Sequence, residues 1–139
     1  METANAERTR SCATALAMLV VAAEAPRFYP SIRLHDRALF ELSELARLGN
    51  LELVTSSWRF VASANGGRSL VGLADVLLIL SEEGWLRRDL AESVYEASPE
   101  FLSWGTREIA ALSEDQRRLV GQLAERWRAR ASVSSKKVA

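Results

Sequence analysis

The chain has 139 residues, 48% of them apolar and 26% charged, the balance of a soluble globular domain rather than a disordered or fibrous chain. A single cysteine and a single histidine, Cys12 and His35, exclude an internal disulfide, a cysteine-based metal cluster and the usual zinc sites. They leave no nucleophile–histidine system within one chain apart from a Cys12–His35 pair.

Residues 4–25 read as a helix, with Ala15, Leu16, Leu19, Val20 and Ala23 at helical spacing and Pro26 ending it. Arg8 and Arg10 before "CATALAMLVVAA", and "AEA" at 23–25, have the grammar of a secretory signal. Glu2 and Glu7 dilute its basic region, Pro26 would follow the cut, and the apolar run is short of the ~20 residues that cross a bilayer. The expectation is a buried helix in a cytoplasmic protein with no membrane partner. Cys12 inside that pattern reads as a small buried hydrophobe.

"PRFYPS" at 26–31 is a turn or short extended link, and Ser31 can cap a helix over 32–48 with the stripe Leu34, Ala38, Leu42 and Leu45, widened by Leu39 and Ala46. Gly49-Asn50 closes it. "LELVTSSWRFVASA" alternates like strand, and a Ser56-Ser57 loop would pair Leu53 with Phe60 and Leu51 with Ala62. "ASANGGRSL" then poses a choice between a phosphate cradle and a hairpin tip. It has no lysine and no nucleotide-binding glycine spacing, whereas Asn65-Gly66 suits a two-residue type I′ turn. That turn sets Ala62 against Ser69, Val61 against Leu70 and Phe60 against Val71.

From 72 the pattern returns to helix, and Leu73, Ala74, Val76, Leu77, Leu78 and Leu80 cover nearly its whole circumference, which predicts a central core helix stopped by "SEEG". Residues 86–97 read as another helix with Leu86, Leu90 and Val94 inward. Pro99 opens a short one bearing Phe101, Leu102, Trp104 and Ile109. Ser113 and Gln116 form a capping box for the last helix, with Leu119, Val120, Leu123 and Trp127 as its stripe. One globular domain over 1–131 and a small polar tail over 132–139, expected to be disordered, account for the chain.

The run "ALFELSELARLGNLELV" and the glycine-tipped hairpin after it, residues 31–72, resemble the second half of a winged helix-turn-helix domain. The resemblance implies a winged-helix-like α+β single domain, mainly α with a small antiparallel β-hairpin or three-stranded meander. It implies that Arg33, Arg37 and Arg47 on helix 32–48 would approach a major groove, with Arg59 and Arg68 on the wing. Such domains also serve as protein-binding modules, among them small accessory subunits of multi-protein bacterial assemblies.

Three functions compete. The first is a non-enzymatic protein-interaction module, supported by scarce catalytic residue types and by Trp85 and Trp104 at helix borders, where an aromatic can anchor a partner. The second is a DNA-binding regulator using Arg33, Arg37, Arg47, Arg59 and Arg68. Zero net charge disfavours nucleic acid, as do Asp36, Glu41 and Glu44 on the reading face, although the end from Glu114 onward is +4 (seven basic residues, three acidic). The third is an enzyme with His35-Asp36 or Glu82-Glu83 as an acid/base centre. His35 reads instead as a helix-surface residue and Glu82-Glu83 as a solvated turn. The sequence therefore predicts the interaction module: no catalytic residues, no metal ligands and no cofactor.

Overall fold

The computed structural model describes residues 2–49, 55, 57–63 and 66–131. Ten elements follow in order: α1 (Glu2–Ala22), β1 (Arg27–Phe28), α2 (Ile32–Gly49), β2 (Phe60–Ala62), β3 (Arg68–Leu70), α3 (Leu73–Glu82), β4 (Leu86–Asp89), β5 (Val94–Ala97), α4 (Pro99–Ala110) and α5 (Glu114–Ala131). The architecture is mainly helical with two small antiparallel sheets, β1-β5-β4 and β2-β3, an α+β domain around one apolar core.

The centre of that core is α1. From Ser11 to Val20 every residue but Thr14 is buried, because α2, α3, α4 and α5 all pack on this helix. A helix apolar on all sides is stable only when covered on all sides. The tightest approach is to α4. A Cβ added at Gly105 would stand 2.3 Å from the Ala17 carbonyl oxygen and 2.8 Å from Val21 Cγ2. Only a glycine lets the helices meet there.

The end of α1 is a Schellman turn built without glycine. Ala25 donates to the Val20 carbonyl and Glu24 to that of Val21, with Glu24 left-handed at φ 52°. The same bonds end α3, from Trp85 to Leu80 and from Gly84 to Ser81, with Gly84 at φ 85°.

The central helix expected over 72–80 is instead a half-covered one. Leu73, Val76, Leu77 and Leu80 are buried on α3, whereas Leu78 is 56% exposed and Ala74 and Asp75 face outward. With α1 already in the middle of the core, α3 lies against it by one face only.

The helix expected over 86–97 is a hairpin. β4 and β5 pair Leu86 with Ala97 and Asp89 with Val94, and β1 adds to β5 through Arg27–Glu96 and Phe28–Tyr95. Leu86 and Val94 do point inward as expected, but Leu90 lies in the loop and is 79% exposed. Asp89 supports the turn, since its carboxylate accepts from the amides of Ala91 and Glu92 and bends the chain. Across the sheet Arg87 Nε donates to Glu96 at 3.2 Å, Arg27 lies near Asp89 and Glu96, and Arg88 covers the Tyr95 ring.

The hairpin after α2 forms around Gly66, but one residue out of the expected register: Phe60 faces Leu70, Val61 faces Ser69 and Ala62 faces Arg68. Ser63 N–H bonds the Gly67 carbonyl, and Gly66, at φ 83°, bonds the Ser63 carbonyl. Asn65, the first residue of the expected two-residue turn, lies outside the described residues. The shifted register puts Phe60 over Phe40 of α2, ring centroids 5.2 Å apart, and buries Leu70. Ser56, Leu51 and Leu53, on which the expected Ser56-Ser57 loop and its two pairs depend, lie outside the described residues, as do Asn50 and the tail over 132–139.

The last two helices start as their sequences predict. The Ser98 hydroxyl caps α4 by accepting from Phe101 N–H, with Pro99 in its first turn. Ser113 and Gln116 exchange both capping-box bonds at the start of α5. α5 buries Val120, Leu123 and Trp127, and its last carbonyl, at Ala131, accepts from Tyr29 N–H beside β1.

Candidate functional site

The four tryptophans divide evenly. Trp58 and Trp127 are core residues, while Trp85 and Trp104 are half-buried and adjacent. Gly84 turns the chain out of α3 and delivers Trp85 to the start of β4; the Ser98 cap sets the helix that carries Trp104. The two indoles lie 5.2 Å apart at 58°, backed by Phe101 at 6.5 Å from Trp85 and 6.0 Å from Trp104. Together with Ala13 of α1 and Ile79 of α3 they line an open groove of about 840 Å³. Its rim alternates in sign, with Arg10 and Arg107 against Glu83 and Glu108. The Glu83 carboxylate accepts from the Trp85 indole N–H at 3.3 Å. An apolar floor with two half-exposed aromatics and a neutral rim is suited to a protein side chain rather than to a charged metabolite.

A second groove, of about 1090 Å³, runs between the first half of α2, the tip of the β2–β3 hairpin and the end of α5. It gathers three of the five arginines that the sequence singled out, Arg33, Arg37 and Arg68, and adds Arg130 from α5. Arg47 lies on a different groove beside Trp58 and Phe60 and is bound to Glu44 at 2.8 Å. Arg59 is exposed and lines neither groove. Arg130 stands apart from those five in the sequence, as one of the basic residues of the last helix. Its spacing of four from Arg126 marks one face of α5, but only folding brings that face to α2.

The acidic residues on α2 behave differently from expectation. Asp36, placed by sequence on the reading face, is 5% exposed. It turns to the free edge of β3 and accepts from Leu70 N–H at 2.8 Å, which leaves that edge covered. Burial raises its carboxyl pKa, against the Leu70 amide and the Ser69 hydroxyl, which lower it. Glu41 is shared between Arg37 at 3.4 Å and Arg126 at 2.8 Å.

His35 is a core residue, not a helix-surface one. It is fully buried, with Phe28 packed edge-on at 5.6 Å and Trp127 at 5.8 Å. Burial lowers its pKa to about 4, with the Tyr29 backbone acting weakly the other way. Cys12 is equally enclosed, and burial pushes its thiol up to about 12, the reverse of what a nucleophilic cysteine needs. The two are thus single groups sealed in apolar surroundings. Glu82 and Glu83 are exposed at the end of α3.

Among the described residues no three His, Cys, Asp or Glu side chains gather where a metal could be held, and no helix is long and apolar enough to cross a membrane. No protein-family model matches the chain, and no curated protein and no solved structure matches it.

Proposed function

We propose that this chain is a non-enzymatic protein-interaction module, a small cytoplasmic accessory subunit of a larger prokaryotic assembly, and that the Trp85–Trp104 groove takes the partner. The observation that carries the reading is the pairing of two half-exposed indoles over an apolar floor. Tryptophans in such pockets are the residues that most often dominate binding energy at interfaces. The order α2, β2, β3 within residues 31–72 is compatible with the winged-helix-like resemblance, and domains of that kind also serve as protein-binding modules.

Purification of the tagged protein from its native host tests the reading. A stoichiometric protein partner should accompany the wild type and be lost from the Trp85→Ala/Trp104→Ala variant. Absence of any such partner, or its retention by a folded double variant, would count against the module.

The alternative, a DNA-binding regulator, is favoured by one observation, the convergence of Arg33, Arg37 and Arg68. It requires duplex binding that survives roughly 150–200 mM salt and is abolished by charge reversal at Arg59 and Arg68.

A further inference from the structure

The groove between α2, the β2–β3 hairpin and α5 has a composition of its own. Four guanidinium groups line it, from Arg33, Arg37, Arg68 and Arg130. Arg37 is committed to Glu41, while Arg33, Arg68 and Arg130, all exposed, make no ion pair among the described residues. Of the two carboxylates in the lining, Asp36 is occupied by the Leu70 amide and Glu41 is held by Arg37 and Arg126. Neither is available to neutralise the other three cations. Between them lie Ile32 (39% exposed), Leu34 and Phe40, the last with Arg68 5.9 Å above its ring.

We propose that this groove is a second docking site and binds an acidic peptide segment of a partner that also carries apolar side chains. Charge complementarity selects the acid, because guanidinium forks match carboxylates bidentately. The apolar floor selects side chains beside it, which a nucleic-acid backbone does not supply. Duplex phosphate fits poorly for a further reason: the chain as a whole, at zero net charge, creates no long-range field to draw a polyanion. The inference rests on the module reading but concerns a separate surface: neither Trp85 nor Trp104 lines this groove.

Selection from a displayed library of random dodecamer peptides tests it. The baits are the wild type, Arg33→Gln/Arg68→Gln and Trp85→Ala/Trp104→Ala, each checked for folding by circular dichroism. Peptides enriched on the wild type should combine Asp or Glu with Leu, Ile or Phe. They should bind the arginine variant about tenfold more weakly, the scale of losing two exposed charge pairs, and the tryptophan variant unchanged. Mixed-sequence duplex should not bind at physiological salt.

Neutral or basic peptides, or acidic ones indifferent to the arginine substitutions, overturn the proposal. Peptides lost only from the tryptophan variant overturn it while leaving the module standing. Duplex binding that disappears with Arg33 and Arg68 reassigns the groove to nucleic acid, and an empty selection on every bait counts against both.

Discussion

Trp127 of α5 donates its indole N–H to Nδ1 of His35 on α2, at 3.3 Å and ninety-two residues apart in the chain. The bond requires an unprotonated Nδ1, and the ring is buried against Phe28, so the fold holds His35 neutral. Its pKa falls from 6.5 to about 4. Between those values the unfolded chain binds the proton and the folded chain does not. Stability should therefore be at its plateau above pH 6.5 and decline as pH falls toward 4, by about 3 kcal/mol in all. Asp36 acts in the opposite sense, since its pKa is raised above 3.8 and its contribution grows as pH falls toward that value. Urea unfolding at stepped pH reads the sum, and His35→Asn should flatten the arm between pH 5.5 and 6.5. A wild-type curve without that arm would mean that the histidine reaches solvent.

Gly105 should not accept even a methyl group. The added Cβ would meet the backbone of Ala17, which cannot rotate away, so α1 and α4 would have to separate along their contact. Gly105→Ala gains about 1 kcal/mol of helix propensity, yet overpacking of this kind costs roughly 1–3 kcal/mol or more. The expected outcome is a net loss in thermal or chemical unfolding. A more stable variant would show that the helices are farther apart than described.

Glu24 offers the converse. A left-handed φ of 52° disfavours a side chain, and the matching position after α3 is already glycine, Gly84. Glu24→Gly should stabilise the fold by about 0.5–1 kcal/mol, the strain relieved being partly offset by the freedom glycine adds to the unfolded chain. Unfolding midpoints of the two proteins decide it.

Local signals that act within four residues were legible in the sequence. The Ser113–Gln116 box and the start of α4 at Pro99 rest on local backbone demands, and the hairpin at Gly66 was legible in its place though not in its register. Signals that depend on a distant partner were not. Leu86 and Val94 sit inward on a strand pair as well as on a helix, and only β1, sixty residues away, selects the sheet. Likewise α1 and α3 are both strongly apolar, and which of them occupies the centre depends on what surrounds each. Trp85 and Trp104 stand out by residue type, and the structure places them together on one groove. The arginine groove is less legible, because Arg130 joins it by tertiary packing and Asp36 leaves its face for β3.

Leu77 and Leu78, adjacent on α3, should differ widely in cost. Leu77 is 1% exposed and Leu78 56%. Leu77→Ala should lose about 2–5 kcal/mol, as large-to-small changes in a packed core do, and Leu78→Ala less than about 0.5 kcal/mol. Equal losses in denaturant unfolding would place both leucines inside and remove the outward face of α3.

The last prediction reads the tryptophan groove directly. Trp58 and Trp127 are 7% and 4% exposed, and Trp85 and Trp104 are half-buried, so the emission of the folded protein comes from two environments. An aqueous quencher such as acrylamide should reach the groove pair and scarcely touch the core pair. Trp85→Phe/Trp104→Phe should keep the apolar floor, retain the fold, and leave a blue-shifted emission that the quencher barely diminishes. Docking of a partner in the groove should shield the wild type in the same way, because burying a half-exposed indole removes its contact with water. If the double variant remains as quenchable as the wild type, the accessible indoles are Trp58 or Trp127. The aromatic anchor would then lie elsewhere on the molecule.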